Sequence, residues 1–177
     1  MKKTLKNREI LGLYKSLKNL PPSLSGARFL YAVNRSAELM KPVALPLDEV
    51  ERKLANFRLT DKGMIKYEEE RIELVKSFAN LDESGQPLTK MDLIGGVKRE
   101  VYDVPEERKE DLEKAVEVLQ KKHKKAFDAE KKMIEDFEKL LDETSEFAYH
   151  EIGLDLVPED IQAGLFGQIF HIIKEEE

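Results

Sequence analysis

The chain has 177 residues, carries a net charge of -6 and contains no cysteine, and charged side chains make up 37% of it. Its length fits one domain with a real core, or a small core with a helical arm, and the high charged fraction favours long helices with solvated faces. The negative charge argues against a duplex-DNA-binding protein. The absence of cysteine excludes disulfides, thiol nucleophiles and cysteine-ligated metals.

No stretch of the sequence approaches the roughly 18 consecutive apolar residues that a transmembrane helix needs. The first 20 residues alternate charged and apolar side chains, unlike the apolar core of a signal peptide. We therefore expect a soluble, intracellular protein that makes no contact with a membrane.

Two amphipathic helices are predicted for residues 1–47. Apolar side chains recur with helical spacing over residues 7–20, and the prolines that follow should end this helix. A second helix is predicted up to Lys41, with an apolar stripe that consists of Leu30, Val33, Ala37 and Met40. Pro42 and Pro46 should then break or kink it.

Two further segments, residues 48–81 and 105–143, are predicted to be the arms of an antiparallel helical hairpin. The second arm has a seam that steps by alternating intervals of four and three residues, which is typical of a coiled coil. The seam consists of Leu112, Val116, Leu119, His123, Ala126, Glu130, Met133, Phe137 and Leu140. A lone helix of this length cannot cover its seam, so its partner is either the 48–81 segment, which we favour, or a second copy of the chain.

His123 and Glu130 are the polar members of this seam. Polar seam residues weaken packing and can fix the register of the helices. Alternatively, the 3.6-residue helical period moves the buried face onto Phe127, Ile134 and Leu141 and leaves both polar side chains at its edge, which is the interpretation that we favour.

Between the arms, residues 82–104 predict a β-hairpin or loop at the tip of the helical hairpin. The acids after Asp82 lack the spacing of a calcium loop, because its sixth and twelfth positions are Pro87 and Leu93. The glycines lack the phosphate-binding pattern of a P-loop. We therefore predict a partner-contact tip, whose candidate residues are Asp82, Glu83, Gly85, Gly95, Gly96, Lys98 and Arg99.

The last segment, residues 144–177, has a different apolar pattern from the helical arms. Loosely alternating apolar residues predict a short strand that bends at Gly153, and Pro158 with two following acids predicts the start of a terminal helix. The predicted fold class is mainly α, with a long coiled-coil-like antiparallel helical hairpin, a small β-hairpin element, and a short C-terminal strand plus helix. We treat residues 1–177 as a single domain.

The sequence offers no recognisable catalytic constellation. His123, His150 and His171 belong to different predicted elements and lack metal-binding spacing. The lysines between residues 121 and 132 have acidic neighbours that can pair with them, as on a solvated helix face. We predict no catalytic, cofactor-binding or metal-binding residues, no cofactor, no nucleic-acid partner and no enzymatic activity.

Three segments together resemble small phage and prophage proteins of unknown function. They are the N-terminal "LKNREILGLYKSLKNL" with "SGARFLYAVNRSAELMKPV", the middle "YEEERIELVKSFANLDESGQPL" and the C-terminal "FEKLLDETSEFAYHEIGLDLVPEDI". These motifs end and join secondary-structure elements, so the resemblance transfers no catalytic or ligand-binding residue. It implies a phage-encoded protein of the host cytoplasm that is associated with virion or tail genes.

The first functional hypothesis is therefore a non-enzymatic phage protein that acts by protein-protein contacts, as a tail or head component of the virion or as an assembly factor. Its partner would be a phage structural protein or a second copy of the chain. A second hypothesis is an inhibitor or modulator of a host protein. A third is a metal-dependent hydrolase built from aspartate and glutamate.

Overall fold

The computed structural model describes residues 1–21 and 26–174. The strands in this part of the chain are β1 (Lys2–Lys6), β2 (Thr89–Ile94), β3 (Val97–Tyr102), β4 (Thr144–Ala148), β5 (Ile152–Gly153) and β6 (Ile173–Lys174). The α-helices are α1 (Asn7–Lys18), α2 (Ala27–Ala55), α3 (Phe57–Thr60), α4 (Lys62–Phe78), α5 (Glu106–Lys122), α6 (Lys124–Asp142) and α7 (Ala163–Ile169). Two 3-10 turns cover Leu154–Leu156 and Phe170–Ile172. The predicted mainly α fold class, with small β elements, is confirmed.

The chain forms two compact units. The first contains residues Met1–Leu54 and Met133–Glu177, and the second is the continuous segment Ala55–Lys132. The single domain that the sequence analysis expects over residues 1–177 stays a prediction. In the described part of the chain, no helix is both long enough and apolar enough to cross a membrane.

The first unit has a core built mainly from α1 and α2. The apolar side chains of α1 recur at helical spacing and meet those of α2, together with residues of β4 and of the segment that follows it. Its fully buried large members are Ile10, Leu13, Tyr14, Phe29, Val33, Met40, Phe147, Ile152, Ile169 and Ile172. The C-terminal strand and helix are therefore part of this core, although the helix begins at Ala163 and not at Pro158 as predicted.

Strand β1 precedes the first helix, where the sequence predicts no strand. It pairs antiparallel with β4, from Lys2 opposite Ala148 to Lys6 opposite Thr144. Four of its five residues are exposed, so β1 has no buried apolar alternation to mark it as a strand. Only its pairing with a distant segment defines it.

Helix α2 corrects the expectation that it ends or breaks at Pro42. The helix continues through Pro42 and Pro46 to Ala55, past the predicted boundary at residue 47. Each proline leaves the carbonyl of the residue four positions earlier without its usual N–H donor. Pro42, Pro46 and Glu38 are all on the exposed side of the helix, where water can supply that donor, while Ala44 and Leu47 remain buried.

The second unit is a helical hairpin, and α4 packs against α5 within the same chain, as the favoured interpretation requires. The Asp61 side chain caps α4 by accepting hydrogen bonds from the backbone N–H groups of Gly63 and Met64, both at 2.9 Å. The helix predicted to run without interruption from Pro105 to Leu141 is divided at His123, which ends α5. Helix α6 begins at the next residue.

A substitution at Ser36 tests whether its hydrogen bonds to His150 stabilise the first unit. This residue is fully buried in α2, and its hydroxyl donates to the His150 carbonyl at 2.6 Å and accepts from the His150 N–H at 3.0 Å. The Ser36→Ala substitution removes both bonds, so we expect the free energy of unfolding to fall by about 1–3 kcal/mol in chemical denaturation. Ser77→Ala is the control, because that exposed hydroxyl bonds only a carbonyl of its own helix and should cost less than about 0.5 kcal/mol. Equal losses would contradict this role for Ser36.

Candidate protein-interaction surface

The segment between α4 and α5 forms a regular β-hairpin, as predicted. Strands β2 and β3 pair antiparallel from Thr89 opposite Tyr102 to Ile94 opposite Val97, which leaves Gly95 and Gly96 as a two-residue turn. Their φ angles of 59° and 81° are both positive, as a type I′ turn requires and as glycine adopts without steric cost. The two glycines therefore fix the register of the hairpin.

Both faces of this hairpin are open to solvent. Residues 88–100 are all exposed, including Met91, Leu93, Ile94 and Val97. The register places Met91 and Leu93 on one face and Ile94 and Val97 on the other. Among the described residues, β2 and β3 pair only with each other, so each strand also has a free hydrogen-bonding edge.

Asp103 joins the base of the hairpin to the end of α4. Its carbonyl accepts the Asn80 N–H at 2.8 Å, and its carboxylate accepts the Asn80 side-chain amide at 2.9 Å. The same carboxylate pairs with Lys90 on β2 at 2.8 Å. These hydrogen bonds, from Lys90 first and then from Asn80, lower the pKa of Asp103. Sequence reasoning missed Asp103, because it is one acid among many and nothing local marks its partners.

The predicted contact residues fall into two separate groups. Asp82, Glu83 and Gly85 belong to a turn that precedes β2, whereas the two adjacent glycines, Lys98 and Arg99 lie at or next to the far end of the hairpin. The length of β2, at roughly 3.4 Å per residue, separates the groups. Their role in contacting a partner stays a prediction.

The Asp82 turn is closed by the side chain of Asp82 itself. One carboxylate oxygen accepts hydrogen bonds from the Ser84 N–H at 2.8 Å, the Ser84 hydroxyl at 2.7 Å and the Gln86 N–H at 2.8 Å. These bonds, with that from Gln86 the largest contribution, lower the pKa of Asp82. Asp82 therefore shapes the turn, as an Asx turn does.

The polar seam residues correct the favoured sequence interpretation. The side chains of His123 and Glu130 are only 9% and 16% exposed, so both remain on the covered face, whereas Ile134 is 44% exposed. Arg58 holds Glu130 through two hydrogen bonds, of 2.7 and 3.0 Å. The expectation that both polar residues lie at the edge is therefore wrong, because ion pairs compensate them on the seam. Of the three positions expected to take over the buried face, Phe127 and Leu141 are half-buried and Ile134 is exposed.

Glu70 of α4 is the partner of His123. One of its oxygens lies 2.9 Å from His123 Nε2 and 2.8 Å from Lys122 Nζ. Hydrogen bonds from His123, then from Lys122, lower the pKa of Glu70 from an ordinary 4.5 to about 2. The rings of Tyr67 and Phe127 pack edge-on at 4.9 Å beside this pair. This carboxylate therefore links α4 to the point where α5 ends.

Within the part of the chain that the structure describes, no three His, Asp or Glu side chains are grouped so that they could hold a metal ion.

Comparison with known proteins finds no family model, no curated protein and no solved structure that matches this chain.

The Glu70→Gln substitution tests the Glu70 ion pairs through their pH dependence. Because the pKa of Glu70 is lowered by folding, its charge stabilises the folded state above pH 4.5, and that contribution is lost as the pH falls towards 2. We expect Glu70→Gln to be less stable than the wild type at pH 7 in thermal unfolding, with a difference that shrinks between about pH 4.5 and pH 2. The exposed neighbour Glu69→Gln should lose less at pH 7. A Glu70→Gln difference that stays constant over this range would contradict the assignment.

Replacing both Gly95 and Gly96 with valine tests the turn. An L residue in the left-handed region costs about 1–2 kcal/mol, and β-branching adds to that cost, so we expect the NMR signals of residues 89–102 to lose their strand shifts. The helical circular-dichroism signal should persist. The matched control is Gly164→Val with Gly167→Val, since a side chain at either position meets open space and neither φ is positive. Loss of the helical signal in the turn variant alone would show that the hairpin supports the helical core.

Proposed function

We propose that this protein acts through protein-protein contacts and that the hairpin formed by β2 and β3 is its contact surface. The observation that carries the proposal is the exposure of the hairpin over residues 88–100: four large apolar side chains, Met91, Leu93, Ile94 and Val97, are in solvent on a sheet of two strands. A two-stranded sheet is marginally stable in water unless something packs against it or extends it. A partner strand or apolar surface would supply what is missing.

The hairpin offers two kinds of contact to one partner. Its free edges present backbone N–H and carbonyl groups that can pair with an extended segment, which is the basis of recognition by strand addition. On one face, Ile94 and Val97 lie among Lys90, Asp92 and Arg99. On the other face, Met91 and Leu93 lie among Lys98 and Glu100. Edge pairing supplies affinity and these side chains supply specificity.

The base of the hairpin is held in place before any partner binds. Arg108 at the start of α5 donates to the Ser77 carbonyl at 3.1 Å and lies over the Phe78 ring, 4.8 Å from its centroid. These contacts join α5 to the end of α4, and the Asn80 to Asp103 bonds join the two chain segments that enter and leave the base of the hairpin. A surface that is ordered in advance loses less conformational entropy on binding.

The resemblance of three sequence segments to small phage proteins supports the biological setting of the proposal. We propose that the partner is a phage structural protein or a second copy of the chain, and that the protein works in the host cytoplasm as a tail or head component of the virion or as an assembly factor. No catalytic step is part of this proposal.

The Leu93→Ser substitution tests the contact surface. Leu93 is 66% exposed, so its replacement should leave the fold intact while it removes apolar area from the interface. In host cells that carry the encoding phage genome, we expect an identified phage structural protein to co-purify with the tagged wild type and to be lost with Leu93→Ser. The matched control is Leu59→Ser, a leucine of the same unit that is 74% exposed and lies outside the hairpin.

Two results would contradict the proposal. One is a phage partner retained equally by Leu93→Ser and the wild type, which would move the contact away from the hairpin. The other is recovery of a host protein in place of a phage protein, lost with the same variant, which would favour a modulator of the host.

A further inference from the structure

A second surface on the Ala55–Lys132 unit lies along the groove between α4 and α5. The groove has a volume of about 790 Å³, and its apolar floor consists of Leu74, Ala115, Val118 and Leu119. The side chain of Val118, in the middle of α5, is 66% exposed. The groove is a different surface from the β-hairpin, and the inference drawn from it does not rest on the proposed function.

The helical pair leaves this apolar strip open because two helices cannot cover each other fully. Every residue of α5 is described and none of them is buried, and its seam residues Leu112, Val116 and Leu119 are only half covered by α4. The apolar side chains that would complete the packing belong to neither helix. A third helix laid along both would cover the strip, as in a three-helix coiled coil.

The spacing of the groove residues fits a helix as the occupant. On α5 the lining positions are 115, 118, 119 and 122, which follow the pattern of one helix face. From the first to the last of these positions α5 rises by about 10.5 Å, or two helical turns. A partner helix of the same length presents three or four apolar anchors, the number typical of helices that bind in grooves.

The charged side chains around the groove indicate which kind of partner helix it would bind. Glu69, Glu70 and Glu73 line the α4 side, and Lys122 is the one basic residue among the lining side chains in the described part of the chain. Lys122 is already paired with Glu70, and Glu73 has only an exposed pair with Lys76 on its own helix. Exposed pairs of this kind contribute little and exchange readily. The acidic α4 rim therefore complements lysine or arginine on the partner.

We propose that this groove binds a basic amphipathic helix of a partner protein. The apolar face of that helix contacts Leu74, Val118 and Leu119, and its lysine or arginine side chains pair with Glu69 and Glu73. The neighbouring Glu70 stays with His123 and Lys122 and closes one end of the groove.

The test uses the full chain and a synthetic, fluorescein-labelled helical peptide of about 18 residues, long enough to form a helix. Its leucines follow an i, i+3, i+4, i+7 pattern and lysines flank them. We expect saturable binding in fluorescence anisotropy at physiological salt. A peptide with the same lysines but with serine in place of every leucine should not bind.

Two variants place the peptide in the groove by different interactions. Val118→Ser removes an apolar contact without changing charge, and Glu69→Lys with Glu73→Lys reverses the acidic rim. Each should weaken binding at least ~10-fold, since full burial of one valine alone corresponds to that factor or more. The matched control is Glu113→Lys with Glu117→Lys, which makes the same charge change at the same spacing on residues outside the groove and should retain binding.

Three results would overturn the proposal. They are the absence of saturable binding to the wild type, equal binding of the serine peptide, and equal weakening by the two charge-reversed pairs, which would indicate general attraction to an acidic protein. The Leu93→Ser hairpin variant should bind the peptide as the wild type does. Failure of the hairpin proposal and failure of the groove proposal are thus distinguishable.

Discussion

Two helices can cover each other along one side only, and this constraint governs the segment from Ala55 to Lys132. Helices α4 and α5 pack as an antiparallel pair, but α4 buries only Met64 and Tyr67 and none of the described α5 side chains is buried. The remaining stability of such a pair has to come from ion pairs, from capping and from the contacts at its ends. The same shortage of cover leaves the Val118 strip in solvent.

The ion pairs explain how a seam can hold polar residues. His123 and Glu130 each face a charged partner on another element, Glu70 and Arg58 respectively. Removing either partner would leave a poorly solvated polar group on the seam, which is why loss of Glu70 or Arg58 should destabilise this unit. The break between α5 and α6 at His123 coincides with the first of them, which indicates that the pair and the helix end support each other.

The hairpin and the groove differ in what they can recognise. The hairpin presents backbone edges together with side chains on two faces, which suits an extended segment or a flat surface. The groove presents no free backbone, only an apolar floor with an acidic rim, which suits a helix. A unit that contains both can engage one large partner at two places or two partners at once, and linkage of the two sites would raise the overall affinity.

Several elements could be predicted from the sequence because local rules decide them. Residues close together in the chain determine four of them: the apolar spacing of α1, the seam of α5 and α6, the end of α4, and the turn that two adjacent glycines form between β2 and β3. The hairpin was predicted for this reason. The candidate contact set was only partly a spatial group, since Asp82 closes its own turn at the opposite end from Lys98 and Arg99.

What the sequence by itself determined is therefore that most of the helices and the hairpin exist, although the end of α2 and the division between α5 and α6 were not among the features it predicted. The sequence also predicted the buried faces of α1 and α2, whereas tertiary structure decided which side chains the seam of α5 and α6 covers. His123 and Glu130 stay on the seam because partners 53 and 72 residues away meet them, and α2 passes two prolines because its other face is buried in a core. Strand β1 and the role of Asp103 likewise depend on distant partners. Local periodicity in the sequence indicates the secondary structure that a segment prefers. The energy of a buried charge or of an added strand depends instead on the distant residues that contact it in the folded chain.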